Sequence, residues 1–350
     1  MRLLIQTTAV SCLLLLSGCR NTSPQTKAVS ETNDTTKAKI TDPELKSANI
    51  NLKLDPNNAD NYLKRGRIYF KLNNFTAAGF DAERAIRLDS LKDDYYELLA
   101  ESYFSGNETK KSKEALLRWM KNIPGSTGGF LKMAELCFYM KRYQECINHI
   151  NAALKIDETV PKGYFLKGMC FKETGDTNPA ISSFQTACEL NGKYYDALVE
   201  AGRLLSIRKN PLCITYFTNA LLVKPKSPEV MYMAGYFYQK TGKIKQAQEA
   251  YLKLLESDPN NENALYNLGS IAYNEQKEPE TAKNYFSRAI EADPKYAEAY
   301  LARGICFEKL NRPSEAEADY KMALEFKPNF DFAVENLNKL LNKQKKQIHS

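Results

Sequence analysis

Histidine and tryptophan are scarce in this sequence. The 350 residues include two histidines, His149 and His349, and a single tryptophan, Trp119. No Ser/His/Asp arrangement, glycine-rich phosphate loop or His-Glu-x-x-His motif is present. Carboxylates are plentiful, but they are spread along helical patterns and do not form the cluster that a catalytic pocket needs. We therefore predict that the chain is not an enzyme and uses no cofactor, and we expect no small-molecule ligand.

A large excess of one charge sign is also missing. The chain has 49 Lys and Arg against 42 Asp and Glu, a formal net charge of +7. Both signs are interspersed, which is typical of a solvated helical surface. The one basic run, Lys343, Lys345 and Lys346, lies near the C-terminal end of a predicted helix, where cations are favoured in any case. The pattern predicts no nucleic-acid partner.

Closely spaced cysteine pairs such as Cys-x-x-Cys are absent beyond the N-terminal segment. Cys146 and His149 are three residues apart on one predicted helix and Cys137 lies on the helix before it, so a soft-metal site is one interpretation. A Cys137–Cys146 disulfide is a second. We favour a third, in which the cysteines fill small apolar core positions and bind no metal. It covers Cys137, Cys146, Cys170, Cys188, Cys213 and Cys306.

The N-terminal segment has the features of an export signal. Arg2 is followed by an apolar stretch that is too short to span a bilayer comfortably. The stretch ends in Leu16-Ser17-Gly18-Cys19, which resembles the lipobox of bacterial lipoproteins. The resemblance implies cleavage after residues 1–18, acylation of Cys19 and a membrane anchor. A plain signal peptide with an incidental cysteine is the alternative interpretation.

The residues after Cys19 predict a tether and an address. Residues 19–42 are rich in Ser, Thr, Asn and Lys and contain no aromatic residue, so we expect an acylated, disordered tether. Arg20, in place of the Asp that retains some lipoproteins in the inner membrane, implies an outer-membrane lipoprotein facing the periplasm.

A repeated pattern occupies residues 59–330. One helix of each unit carries a glycine and the next carries a small residue about twelve positions later, with a second apolar residue seven further on. A bulky residue lies between those two in most units, and many units close with Asp-Pro or Lys-Pro. The glycines are Gly66, Gly168, Gly202, Gly235, Gly269 and Gly304, and the bulky residues are Phe184, Phe217, Tyr251, Phe286 and Tyr320. We expect each glycine to face the small residue, and each ring to fill the seam between units.

This pattern resembles the tetratricopeptide repeat. The resemblance implies an all-α fold, a right-handed superhelical solenoid of about eight helix–turn–helix units over 59–330. A lone N-terminal helix within 43–58 and a capping helix with a basic tail over 331–350 are predicted to flank it. The second unit departs most, with Ala100 in place of glycine and a predicted long turn over 105–112. The fifth unit is one residue short and the seventh one residue long, changes that we expect in the turns.

In this family the first helix of each unit lines a concave groove for partner peptides or helices. Carried over by position, the predicted groove residues are Arg67, Phe70, Glu101, Phe104, Leu131, Phe138, Phe165, Met169, Arg203, Tyr232, Tyr236, Tyr266 and Tyr273. The apolar lining favours a peptide or helix of a partner protein. An inserted segment of the same chain is the alternative occupant. Leu63 and Arg67 replace the Lys and Asn of the carboxylate clamp of Hsp90-type co-chaperones, so that clamp is not predicted.

Three functional interpretations remain open at the level of sequence. The first is a lipid-anchored envelope scaffold or adaptor that assists assembly of an envelope or secretion machine. The second is a periplasmic holdase-like chaperone that uses the same aromatic groove. The third is a regulatory subunit of an envelope enzyme.

Overall fold

The structure, a computed structural model, describes residues 42–348. Over that range the secondary structure consists of eighteen helices, one ending in a π-helical turn, and contains no strand. The fold class is therefore all-α, as predicted. The predicted signal peptide, Cys19 and nearly all of the predicted tether lie outside the described residues.

The helices fall in two compact bodies, residues 42–197 and 198–348 of the described range, with the boundary inside α10, Tyr195–Ile207. The helices before α10 are α1 Pro43–Leu54, α2 Ala59–Lys71, α3 Phe75–Leu88, α4 Asp93–Ser105, α5 Thr109–Asn122, α6 Thr127–Tyr139, α7 Tyr143–Ile156, α8 Pro161–Thr174 and α9 Thr177–Leu190. The helices after it are α11 Cys213–Val223, α12 Pro228–Lys240, α13 Ile244–Ser257, α14 Glu262–Ile271, α15 Pro279–Ala292, α16 Ala297–Lys309, α17 Pro313–Phe326 and α18 Asp331–Ile348.

Helices pack in consecutive antiparallel pairs within each body. The pairs α2–α3, α6–α7 and α8–α9 in the first body and α12–α13, α14–α15 and α16–α17 in the second make the most extensive contacts. We call the even-numbered helices from α2 to α16 the first helices of their units and the odd-numbered ones from α3 to α17 the second helices. First helices also contact one another directly from α2 to α4, α4 to α6 and α6 to α8, so they share one surface of the first body.

Polar caps and prolines fix where many helices begin and end. Asp42 begins α1 by accepting hydrogen bonds from the backbone N–H groups of Glu44 (2.8 Å) and Leu45 (3.2 Å). Asn58, Ser126, Ser227 and Asn261 cap first helices in the same way. The Asp-Pro and Lys-Pro pairs follow directly after second helices, as expected of a residue that cannot continue a helix.

One residue with positive φ lies in the turn between the two helices of every unit. These residues are Asn73, Asn107, Lys141, Gly175, Lys209, Gly242, Lys277 and Asn311. Their spacing is 34 residues, except for 33 from Lys209 to Gly242 and 35 from Gly242 to Lys277. The second unit therefore keeps the standard length: α4 ends at Ser105 and α5 begins at Thr109, and the predicted long turn over 105–112 is wrong.

The extra residue of the seventh unit lies in a helix. The last turn of its first helix widens into a π-helix, Ala272–Gln276, directly before Lys277. The prediction placed this insertion in the inter-helix turn. A π-turn absorbs one residue without changing the direction in which the helix enters the turn.

The glycines face the rings of the second helices, which corrects the expectation that each faces the small residue. A Cβ atom on Gly168 would lie 2.7 Å from the Phe184 ring, and one on Gly235 would lie 2.7 Å from the Tyr251 ring. The same relation holds for Gly202 with Phe217, Gly269 with Phe286 and Gly304 with Tyr320. The rings therefore fill the space inside their own unit, and the absence of a side chain on the first helix makes room for them.

Candidate interaction surfaces on the first helices

The predicted groove residues do not all lie at the surface. Leu131 and Met169 are only 5% and 6% exposed and belong to the core. Phe70 packs edge-on against Phe75 at the start of its own second helix, with ring centroids 5.2 Å apart. Burial of Leu131 and Met169 removes them from the surface that the lining prediction requires.

Two other predicted aromatics lie in ring clusters of the first body. Phe138 packs against Tyr143 at 5.6 Å, across the turn between α6 and α7. Phe165 contacts both Phe184 (5.7 Å) and Tyr194 (5.1 Å). Each is partly buried, so only part of each ring is available to a partner.

Phe104 is the most exposed predicted aromatic of the first body. Its ring meets Tyr139 edge-on at 5.0 Å, and the two side chains are 37% and 65% exposed. This pair joins the ends of α4 and α6.

Charged side chains cover the rest of the first-helix surface in the first body. We call this set the ionic surface: Arg67, Asp94, Glu97, Glu101, Lys132, Glu135 and Lys162. Lys132 Nζ lies between three carboxylates, hydrogen-bonded to Glu101 and 3.4 Å and 3.5 Å from Glu97 and Glu135. Glu135 also pairs with Lys162 at 2.5 Å. These contacts join α4, α6 and α8.

The electrostatics of Lys132 follow from this geometry. Burial disfavours its charged form, but the hydrogen bond to Glu101 and the nearby charges of Glu135 and Glu97 outweigh burial and raise its pKa. At the α2 end of the surface, Arg67 pairs with Asp94 at 3.0 Å, and both side chains are about half exposed. Glu101 was predicted as a groove residue, whereas Lys132 was missed because its position is not one of the groove positions of the family.

Tyrosines dominate the corresponding surface of the second body. We call Tyr232, Tyr236, Tyr266, Tyr273 and Tyr296 the tyrosine surface. Tyr232 and Tyr236 stack on α12 with ring centroids 6.2 Å apart. Tyr266 of α14 lies 5.2 Å from Tyr296, which directly precedes α16. All five are partly exposed.

Asparagines join the tyrosines between helices. Asn267 Nδ2 donates to the Tyr232 hydroxyl at 3.3 Å, and the Tyr296 hydroxyl donates to Asn263 Oδ1 at 3.4 Å. Burial raises the pKa of Tyr266 to about 12 and also raises the pKa of Tyr232, so the hydroxyls stay neutral donors and acceptors at neutral pH. Tyr296, Asn263 and Asn267 were missed from the sequence, although each lies close to a predicted groove tyrosine.

The remaining predicted groove residue, Arg203, is held in an ion pair. Its guanidinium hydrogen-bonds to Glu229 and lies 3.7 Å from Glu200. Arg203 is therefore positioned by carboxylates and is not a solvated cation.

The cysteines are buried, as predicted, and none is in a disulfide. Cys137, Cys146, Cys170, Cys188, Cys213 and Cys306 are all free thiols. The neighbour of Cys146 Sγ is Cys170 Sγ, at 3.2 Å, which does not match the Cys137–Cys146 alternative. Within residues 42–348, no cluster of three or more His, Cys, Asp or Glu side chains is arranged to hold a metal ion. In the same range no helix has the length and apolarity needed to cross a bilayer.

Family models match several units of the chain. Models described as tetratricopeptide repeat match residues 161–194, 228–261, 250–284 and 297–330. The ranges 161–194, 228–261 and 297–330 are the same as those of the fourth, sixth and eighth predicted units. A model described as anaphase-promoting complex, cyclosome, subunit 3 matches residues 71–153.

Curated relatives are distant and longer. DnaJ homolog subfamily C member 7 of Homo sapiens is 24% identical over 293 residues, which is 79% of this chain and 55% of the relative. Hsp70-Hsp90 organizing protein 1 of Glycine max is 25% identical over 54% of this chain and 34% of its own length. The chain thus spans about half the length of the first of these relatives and a third of the second.

Solved structures show the same fold. The C-terminal part of a TPR repeat-containing protein from Cytophaga hutchinsonii aligns with a TM-score of 0.57 at 20% identity, covering 68% of this chain and 98% of that one. PilF of Pseudomonas aeruginosa aligns with a TM-score of 0.50 at 16% identity, covering 59% and 94%. Paired helices, a turn residue with positive φ in every unit, and the matching family models lead to one conclusion: the chain is a tetratricopeptide repeat protein, whose fold typically acts as a non-catalytic scaffold for protein–protein interaction.

Proposed function

We propose that this protein is a lipid-anchored scaffold of the bacterial cell envelope that binds a peptide or helix of a partner protein on its tyrosine surface. The observation that carries the proposal is the continuous set of partly exposed tyrosines from α12 to α16. Tyrosine offers apolar area at low conformational-entropy cost together with a hydroxyl that can donate or accept. Such a surface suits an amphipathic peptide.

The anchor part of the proposal depends on Leu16-Ser17-Gly18-Cys19. Acylation of Cys19 would hold the chain at a membrane, because each buried methylene contributes about 0.8 kcal/mol. The variant Cys19→Ala is expected to move from the membrane fraction to the soluble fraction of cells. Cys188→Ala, which changes a buried core thiol, is the matched control and should stay in the membrane fraction. Firm membrane attachment of the Cys19→Ala protein contradicts the anchor.

The partner part is tested by photocrosslinking in the native envelope. A photoreactive residue at Tyr236 is expected to capture one or two discrete proteins, because a scaffold binds defined partners. The control position is Leu252, which is 47% exposed on a second helix, away from the tyrosine surface. Tyr232→Ala should reduce capture at position 236 without unfolding the chain.

Two outcomes contradict the scaffold. A broad set of unrelated unfolded proteins at position 236 indicates a holdase. Equal capture at positions 236 and 252 indicates that the tyrosine surface has no special role.

A further inference from the structure

Two buried thiols are in contact where α7 packs against α8. The Sγ atoms of Cys146 on α7 and Cys170 on α8 are 3.2 Å apart, and both residues are 0% exposed. A disulfide bond is about 2.05 Å long, so the sulfurs need to approach by only about 1.2 Å. Because α7 closes the third unit and α8 opens the fourth, a bond here would join two neighbouring repeats of the first body.

The surroundings of this pair do not suit a metal. As stated above, no metal-binding cluster of His, Cys, Asp or Glu is found in the described part of the chain. The nearest alternative thiol partner, Cys137, has its Sγ 3.9 Å from a carboxylate oxygen of Glu145. Its neighbour is therefore an acceptor that cannot form a disulfide.

We propose that Cys146 and Cys170 form a redox pair, which an oxidant of the disulfide class converts to an intrachain disulfide. One cysteine thiolate attacks a sulfur of the oxidant disulfide, forming a mixed disulfide and releasing one oxidant thiolate. The second cysteine thiolate then attacks the protein sulfur of the mixed disulfide and releases the other. The two S–H protons end on the two released thiols, so the protein loses two electrons and the oxidant gains them.

The contact between the thiols sets the order of these steps. The hydrogen bond between them lowers the pKa of Cys170, whereas the same bond together with burial raises the pKa of Cys146. Cys170 therefore attacks first and Cys146 resolves the mixed disulfide. Because both thiols are fully buried, the oxidant reaches them only when the α7–α8 contact opens locally, and that opening limits the rate.

The disulfide would close a loop between positions 24 residues apart. Closing a loop of this size restricts the unfolded chain and stabilises the folded body that contains it. For a body of this size the expected rise in the midpoint of thermal unfolding is about 5 °C or more.

The test uses the full chain in oxidised and reduced glutathione buffers, followed by alkylation of free thiols and peptide mass spectrometry. We expect a cross-linked Cys146–Cys170 peptide in the oxidised sample, with two fewer alkylated cysteines and the raised unfolding midpoint. Dithiothreitol should reverse all three. The variants Cys146→Ala and Cys170→Ala should lose the cross-link and the midpoint shift, while Cys188→Ala should keep both.

Cys146→Ala is a conservative change, because Ala78 and Ala180 occupy the same position in their units. Peptide mapping of the unsubstituted chain decides the question even if an alanine variant is unstable. A Cys137–Cys146 cross-link overturns the proposal. So does a folded chain that keeps every thiol in a buffer that oxidises the unfolded chain.

Discussion

Single residues of the two helices in a unit are matched in size. Where the first helix has glycine, the second has a ring sixteen residues later in most units, as in Gly235 with Tyr251. Where the first helix has alanine, the residue sixteen later is aliphatic: Ala100 is followed by Leu116 and Ala134 by Ile150, all buried. The pair of positions therefore conserves volume from unit to unit, as close packing requires.

Gly235→Ala tests this match. The new Cβ would lie 2.7 Å from the Tyr251 ring, whose hydroxyl is held by Gln239 Oε1 at 2.9 Å, so the ring cannot shift freely. We expect the free energy of unfolding to fall by about 1–3 kcal/mol, even though alanine favours helix over glycine by about 1 kcal/mol. Denaturant unfolding followed by circular dichroism measures it.

A second substitution separates the clash from other effects. Adding Tyr251→Leu to Gly235→Ala imitates the Ala100 and Leu116 pair and should recover part of the lost stability. Gly192→Ala is the control, since a Cβ there meets nothing within 4 Å, and it should change stability by less than about 0.5 kcal/mol. A Gly235→Ala protein as stable as the parent would show that the glycine is not needed for packing.

At the scale of elements, the π-helical turn Ala272–Gln276 shows how the array tolerates a length change. The next first helix, α16, begins 20 residues after Lys277, the same separation as from Asn311 to α18. The insertion is thus confined to one turn of α14. Tyr273 of the tyrosine surface lies within that turn.

Deleting Glu275 should convert the π-turn to α-helix. Glu275 is exposed, so its loss removes no core contact. We expect a folded protein whose helical circular dichroism and unfolding midpoint are close to those of the parent. The matched control deletes Gln239 from α12, which has no extra residue, and should lower the midpoint clearly. Equal damage from both deletions would mean that the π-turn is a required part of the seventh unit.

At the scale of the whole molecule, each body carries its own surface chemistry on the same repeating fold. The first body presents the ionic surface around Lys132, and the second presents the tyrosine surface. Both arise from first helices. The repeat therefore sets where a surface lies, and the individual side chains set what it can bind.

Stability of the chain should fall at alkaline pH. Burial raises the pKa of Tyr95, Tyr194 and Tyr266 to about 12 from the ordinary value of 10.0, and the hydrogen bond to Asp60 adds to the shift of Tyr95. A raised pKa in the folded state contributes stability that is fully present below pH 10.0 and is lost as pH rises toward 12. We therefore expect the unfolding midpoint to fall over that window.

Tyrosinate absorbance and circular dichroism, recorded together, check this expectation. A fraction of the tyrosines should ionise only as the helices unfold, and Tyr266→Phe should weaken the pH dependence of the midpoint. Ionisation of every tyrosine near pH 10 in a chain that stays helical would refute it.

The sequence by itself determined the helices, their pairing, the period of 34 residues and the places where the period changes. These depend on local patterns: caps, prolines, glycines and small residues at fixed spacing. Tertiary structure alone decided that Leu131 and Met169 are buried, that Lys132 lies among three glutamates, that the glycines face rings and that Cys146 meets Cys170. The physical reason is that such contacts depend on distances of a few ångströms between different helices, and the spacing of residues along the chain does not fix those distances.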